Sequence, residues 1–370
     1  FILEKYISFR KVFFLFFYSF YLITKLIKLS YNKEFQKYWV LDGVNIYPFI
    51  RTELYQSLRR IPRFLFYIER LKEFTRIFKP KAVVYNMFEA PIGKCTVYAV
   101  KSISLNTKVI GTQDGPHCRL KLETANHPSE FSNAINNNVR NDYIQSLPIP
   151  DAIILEGNYA KEILLESGYP KSILHVCGSA RIMGLNEIIP LKKNIEKKIN
   201  ILVAFGTNDY YPIIDLCLSL SKLDSNYNFI FKNHPRGMLN KNQLYIYLNK
   251  INFKSKFIIT DTSVWKLFND SDYTIGTFTS VLDEAAIKGF NVICLMFGGR
   301  INTSPLLDLK LPWVHFASSL TDVASILNKR KVLDVDLEKL KKIEEYVYTN
   351  TTLDMANNWK QKIQSIVDTN

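Results

Sequence analysis

The sequence predicts an α/β fold of two successive domains, each a parallel sheet with helices on both faces, closed by a C-terminal helical segment. Three observations carry that expectation. At 370 residues the chain is too long for one ordinary domain and suits two. Hydrophobic residues make up 47% and charged residues 22%, the composition of a globular protein. Short apolar runs alternate with helical patterns in strict turn, twice over, and that alternation yields parallel, Rossmann-like sheets.

Residues 1–30 form an apolar segment. Its core, 12–23, is rich in Phe and Tyr, with Arg10 and Lys11 before it and Lys25 and Lys28 after it. The run falls short of the ~20 apolar residues that span a bilayer. A signal peptide would need a small-residue cleavage site, and Thr24, Lys25 and Leu26 stand there instead. Two readings stay open: an interfacial helix with rings among headgroups and lysines on phosphates, or a buried helix of the N-terminal domain. Phe1 is no ordinary initiator, so the sequence is expected to be a fragment or a processed chain.

Residues 31–178 are expected to build the N-terminal Rossmann-like domain. Helical patterns cover 52–78, Lys79-Pro80 interrupts them, and a β-rich run follows at 82–85. A helix at 91–102, a strand at 108–111, a long polar loop, a strand at 152–155, a helix at 159–167 and a strand at 174–177 continue the rhythm. Residues 179–199 read as a linker, irregular and then basic through Lys192, Lys193, Lys197 and Lys198. Residues 200–334 restart the alternation, with strands at 201–205, 229–231, 257–260, 273–275 and 292–295. Residues 335–370 close the chain with helix from 337 to 367, interrupted near 349–352.

The formal net charge of +14 implies an anionic partner: a membrane surface, a nucleic acid or a charged substrate. Nucleic acid loses support, because the sequence has no zinc-finger spacing, aromatic RNA-binding signature or base-reading basic helix. The five cysteines, Cys95, Cys118, Cys177, Cys217 and Cys294, are odd in number and scattered without C-x-x-C spacing. They predict no metal site and a reducing, cytoplasmic compartment, with peripheral attachment to the inner face of the membrane as an option.

Parallel sheets bind ligands at the carboxyl ends of their strands, so the candidate residues are those that follow strands. Lys232, Asn233, His234, Pro235, Arg236 and Gly237 come directly after 229–231. Lys232, His234 and Arg236 together suit a phosphate oxyanion, and Pro235 fixes the backbone among them; the same string also suits a solvated turn. Gly276, Thr277, Phe278, Thr279 and Ser280 follow 273–275 and open a helix. Hydroxyls there cap the helix, and its free amides make an anion site. Glu284, one turn in, is placed to reach a ribose hydroxyl or simply to complement the dipole. Gly206 and Thr207, with Asn208 and Asp209, follow 201–205 and make a small loop for a donor phosphate or sugar. Neither G-x-G-x-x-G nor a Walker loop occurs, which removes support from dehydrogenases and ATPases.

In the N-terminal domain Gly111-Thr112-Gln113-Asp114-Gly115-Pro116-His117 follows 108–110. Gly115-Pro116 forces a turn that holds Asp114 at a strand tip, where its carboxylate acts as a general base or only stabilises the turn. Gln113, His117 and Arg119 are assigned to the acceptor side.

With these residues named, the C-terminal half resembles the donor domain of GT-B glycosyltransferases, above all bacterial sialyltransferases and Kdo transferases that use CMP-activated sugars. Those families carry an HP motif and a Ser/Thr pair on the donor phosphate, matched here by His234-Pro235 and Thr279-Ser280. The sialyltransferases also carry a D/E-D/E-G motif with the catalytic aspartate. Asp114-Gly115 matches its end, while Gln113 replaces its first acid. From Tyr38 to Val367 the chain is also similar to surface-carbohydrate biosynthesis proteins, through Lys79-Pro80-Lys81-Ala82-Val83-Val84 leading toward Gly111 and Asp114, with a shortened N-terminal domain.

The resemblance implies a metal-independent, inverting glycosyltransferase with no cofactor. A nucleotide sugar, best a CMP-activated sialic acid or Kdo, would lie on His234, Thr279 and Ser280, with Lys232 and Arg236 beside them. Asp114 would take a proton from a glycan or glycolipid acceptor of surface polysaccharide, and domain closure would exclude water. Three alternatives share the fold: a CDP-glycerol-like polyol-phosphate transferase, a UDP-sugar 2-epimerase and a non-catalytic nucleotide-sugar-binding module.

Overall fold

The computed structural model describes residues 8–41, 43–121, 124, 131, 147–190, 198–207, 209–234, 237, 239–277, 279–297, 304–329, 336–349, 351–352 and 354–369. The chain opens with helix α1 (Phe9–Ser30), capped by the Ser8 hydroxyl, and a short α2 (Lys33–Lys37). A two-residue antiparallel hairpin follows, β1 (Val40–Leu41) with β2 (Val44–Asn45). The single helical stretch expected at 52–78 is two helices, α3 (Tyr47–Leu58) and α4 (Ile61–Phe78). Each has a proline in its first turn, Pro48 and Pro62, where the missing N–H costs nothing and the fixed φ starts a new helix. Lys79, in the left-handed region at φ 43°, ends α4 just before Pro80.

The first sheet is built from β3 (Ala82–Asn86), helix α5 (Pro91–Lys101), β4 (Lys108–Thr112), β5 (Ala152–Leu155), helix α6 (Asn158–Glu166) and β6 (Leu174–Val176). All pairings are parallel and the order is sequential, β3-β4-β5-β6. The central strand β5 is buried throughout, as a run of four apolar residues in a two-sided sheet must be.

The second sheet contains β7 (Ile199–Ala204), helix α7 (Tyr210–Leu223), β8 (Tyr227–Lys232), α8 (Lys241–Lys250), β9 (Phe257–Thr260), α9 (Val264–Phe268), β10 (Tyr273–Gly276), α10 (Ser280–Ile287), β11 (Val292–Leu295), α11 (Leu306–Leu309), β12 (Val314–Ala317) and α12 (Leu320–Asn328). Its six parallel strands run β12-β11-β10-β7-β8-β9. Alternation along the strands divides the core: Ile201, Val203, Phe229 and Phe231 pack to one side with α7, α8 and α12, while Leu202 and Ile230 pack to the other with α9 and α10. Strand β12 was not expected, because half-exposed His315 and Phe316 interrupt its apolar run at the edge of the sheet.

Two further helices, α13 (Leu337–Val347) and α14 (Met355–Asp368), tie the halves together. Helix α13 contacts both α6 and α10. Helix α14 returns to the first sheet, setting Trp359, Ile363 and Ile366 against Ile110, Ala152 and Ile154. Gly157 is required at the crossing: a Cβ there would stand 2.2 Å from the Val347 carbonyl oxygen. The molecule is thus the two-domain α/β fold that the alternation predicted, GT-B-like as the resemblance implied.

Candidate functional site

The order of the second sheet reverses at β7. Strands β8 and β9 continue to one side and β10 to β12 to the other, and the carboxyl edge at such a reversal is where open parallel sheets bind ligands. The loop after β7 is Gly206-Thr207-Asn208-Asp209, and the loop after β10 begins at Thr277. Asp209 joins them. Its Oδ1 accepts the Gly206 N–H at 2.8 Å, and its Oδ2 accepts the Thr277 hydroxyl. Gly206 and Gly276 leave room for this closeness. A Cβ on Gly206 would sit 2.8 Å from Asp209 Oδ2, and one on Gly276 would sit 2.6 Å from the Ala204 carbonyl oxygen.

The loop after β8 is fastened to the same place by Tyr210, the first residue of α7. Its ring stacks on Phe205 with centroids 4.2 Å apart. Its hydroxyl donates to Asn233 Oδ1 at 3.2 Å and accepts the His234 N–H at 3.1 Å. The Gly237 N–H closes the turn onto the His234 carbonyl at 2.9 Å. Lys232 reaches the Asp261 carbonyl at 3.3 Å. Thr279 caps α10 through its hydroxyl, and Thr279 and Ser280 are both half-buried. The His234 turn and the Thr279-Ser280 helix start therefore lie after the two strands that flank β7, about 10 Å apart by strand spacing. Pro235, Arg236, Asn208 and Phe278 lie outside the described residues.

Across from this edge stand the strand tips of the first sheet. Asp114 is exposed just past β4. Gln113 binds β5: its Oε1 accepts the Glu156 N–H at 2.9 Å, and its Nε2 donates to the Gly115 carbonyl at 2.8 Å and to Glu156 Oε2 at 3.1 Å. An amide fits here where an acid would face a second carboxylate. Glu156 is buried, and burial holds its carboxyl above the ordinary range against the pull of Arg181 and the Ser179 hydroxyl. Arg181 spans the domains, at 3.8 Å from Glu156 and 2.5 Å from Glu284 Oε1. Glu284 also accepts the Trp265 indole N–H at 2.7 Å, so its carboxylate faces this bridge.

The remaining acceptor-side candidates have other surroundings. Arg119 makes a two-pronged pair with Glu166 at 2.8 and 3.0 Å and a third bond to Asp308 of the other domain at 3.0 Å. His117 is buried beside Phe88, neither ring nitrogen has a hydrogen-bond partner, and burial with the nearby Lys121 charge pulls its pKa down to about 4. Glu156 and Arg181 were not singled out from the sequence. A signal existed for the first: a carboxylate directly after the wholly apolar β5, the same position that drew notice to Asp114 after β4. Among the described residues no group of three or more His, Cys, Asp or Glu side chains is arranged to hold a metal ion.

No protein-family model matches the sequence, and no curated protein matches it. Solved structures share its fold. A UDP-GlcNAc 2-epimerase from Neisseria meningitidis with bound UDP-GlcNAc is similar at 15% identity and a TM-score of 0.50, over 84% of this chain and 82% of that one. S. aureus MnaA with UDP is similar at 14% identity and a TM-score of 0.50, over 80% and 78%. A Listeria monocytogenes protein described as a UDP-N-acetylglucosamine 2-epimerase is similar at 13% identity and a TM-score of 0.51, over 83% and 80%.

These likenesses correct the expected activity. The glycosyltransferase assignment, an inverting transfer from a CMP-activated sugar, rested on short motifs that resembled sialyltransferases. Two of these structures are described as UDP-GlcNAc 2-epimerases and the third holds UDP, and none is described with a CMP-activated sugar. The His-Pro and Thr-Ser strings follow the geometry of a parallel sheet's carboxyl edge, a feature common to enzymes of different chemistry on one fold.

Proposed function

We propose that the chain binds a UDP-linked sugar at the carboxyl edge of β7 and β10 and inverts one carbon of that sugar, as a UDP-sugar 2-epimerase does. The observation that carries this reading is the loop pair joined by Asp209 at the point where the strand order reverses, in a fold shared with UDP-GlcNAc 2-epimerases. The amide-rich start of α10, the Thr279 and Ser280 hydroxyls, Lys232 and the His234 turn supply donors for a diphosphate. Inversion at C2 needs its proton removed from one face while the C–H electron pair forms a C1=C2 bond and expels UDP from C1, and then UDP adding back at C1 as a proton is returned to the opposite face of C2. Asp114 and Glu156, at neighbouring strand tips, are the carboxyls assigned to that exchange. Burial raises the Glu156 carboxyl above its ordinary range, which favours its taking up a proton. Arg181, on Glu156 and Glu284 together, sets the spacing of the two domains around the bound sugar.

The test is incubation of the chain with UDP-GlcNAc in D2O without any acceptor, followed by NMR. The expected result is the C2 epimer with deuterium at C2, and loss of at least about a hundredfold in rate for Asp114→Asn or Glu156→Gln. Thermal protection by UDP, and not by CMP or CDP, should accompany it. Protection by CMP alone, or turnover only when a glycan acceptor is added, would overturn the assignment.

A further inference from the structure

The longest helix among the described residues, α1, has a face that the protein leaves open. Against the expectation from residues 12–23, the 22-residue α1 is long and apolar enough to cross a membrane, alone among the described residues, and only 11% of its most apolar window is buried. Its inner side is aliphatic and small: Leu15, Ser19 and Ser30 are buried against α3 and α4. Lys11 pairs with Glu69 of α4 at 2.7 Å, and the Tyr47 hydroxyl of α3 donates to the Ser30 carbonyl. The helix is therefore tied to the domain near both ends, lying along its surface rather than standing away from it.

The outer side is aromatic. Phe9, Phe13, Phe14, Phe16, Phe17, Tyr18, Phe20 and Tyr21 are between 39% and 84% exposed. Neighbouring turns bring these rings together, Phe13 with Phe17 at 4.9 Å, Phe16 with Phe20 at 4.8 Å and Phe14 with Tyr18 at 6.0 Å. At about 200 Å² per aromatic side chain, the exposed ring surface is on the order of 900 Å², above the roughly 300–600 Å² of the largest patch on an ordinary monomer.

The charges at its margins are of one sign. The helix carries Arg10, Lys11, Lys25 and Lys28 and no Asp or Glu. Lys25 stands 4.8 Å over the Tyr21 ring, at the border of the aromatic face, and Lys28 follows one turn later. Rings that settle at headgroup depth, flanked by cations and held parallel to the protein surface, match an anionic bilayer. A second protein surface of mixed charge does not match a helix that carries four cations and no acid of its own.

We propose that α1 is an in-plane membrane anchor: its aromatic face enters the headgroup layer of an anionic bilayer, with Lys25 and Lys28 on lipid phosphates and the two α/β domains held at the surface. The test is co-flotation of the full chain with vesicles of phosphatidylcholine alone and of phosphatidylcholine with phosphatidylglycerol. The expected result is binding to the anionic vesicles at least about tenfold tighter than to neutral ones, weakened by salt. Phe13→Ser with Phe17→Ser and, separately, Lys25→Glu with Lys28→Glu should each reduce binding at least about tenfold, while UDP protection of the fold is unchanged. Equal binding to neutral vesicles, or no binding with a dimer that the Phe13→Ser, Phe17→Ser variant dissociates, would overturn the proposal, the latter in favour of a second copy on this face.

Discussion

Replacing Asp283 with asparagine is expected to stabilise the protein above neutral pH and to flatten its stability at lower pH. The Asp283 carboxyl is sealed in the first turn of α10 with the Ser304 hydroxyl donating to it, and burial pushes its pKa up to about 7. In an unfolded chain an aspartate titrates near about 3.9. Below about pH 4 both states hold the proton and the residue is neutral to folding. Between about pH 4 and 7 the unfolded chain releases its proton first, so stability falls as pH rises, and above about pH 7 the whole penalty stands. A shift of about three pH units amounts to ~4 kcal/mol. Asparagine keeps an acceptor for Ser304 but brings an amide N–H₂ that needs a partner, costing about 1–3 kcal/mol. The net gain at about pH 8 is then of order 1–3 kcal/mol. Urea unfolding followed through tryptophan fluorescence, from about pH 5 to about pH 8, measures it. Parallel pH profiles for the two proteins would refute the late titration of Asp283.

His117 works in the opposite direction. Its pKa, pulled down to about 4, means that the unfolded chain takes up a proton first as pH falls, so stability is lost between about pH 6.5 and about pH 4. His117→Phe should remove a loss of up to ~3 kcal/mol and raise the melting temperature at about pH 5; an unchanged value would show that the ring is solvated when folded. Asp209→Ala would leave the Gly206 N–H and the Thr277 hydroxyl without their partner, at about 1–3 kcal/mol. Calorimetric titration should then find UDP bound at least about tenfold more weakly, and wild-type affinity would separate the joined loops from nucleotide binding.

Much of the sheet architecture was legible because its strands are short apolar runs. The runs expected at 152–155, 257–260 and 292–295 match β5, β9 and β11 residue for residue. Periodicity could not report the break between α3 and α4, which depends on where Pro62 restarts the chain, nor edge strand β12, which needs only part of its surface apolar. Three loops of the site followed from the rule that ligands gather after parallel strands. Their fastening by Asp209 and Tyr210 did not, since Asp209 meets Thr277 across 68 positions. The Glu156–Arg181–Glu284 bridge was hidden for the same reason: Arg181 and Glu284 are 103 positions apart, and neither has a local pattern that requires the other. The activity was the least legible part, because a short His-Pro or Thr-Ser string records where a sheet ends and not what reaction occurs there.

The return of α14 to the first sheet has a consequence for synthesis. Ile110, Ala152 and Ile154 are made about 200 residues or more before the side chains that cover them, Trp359, Ile363 and Ile366. The first sheet must wait with an uncovered greasy flank while the second takes shape, and termination anywhere before α14 would strand it in that state. Nascent chains of this protein should therefore lean on chaperones longest at the earlier of these two sheets.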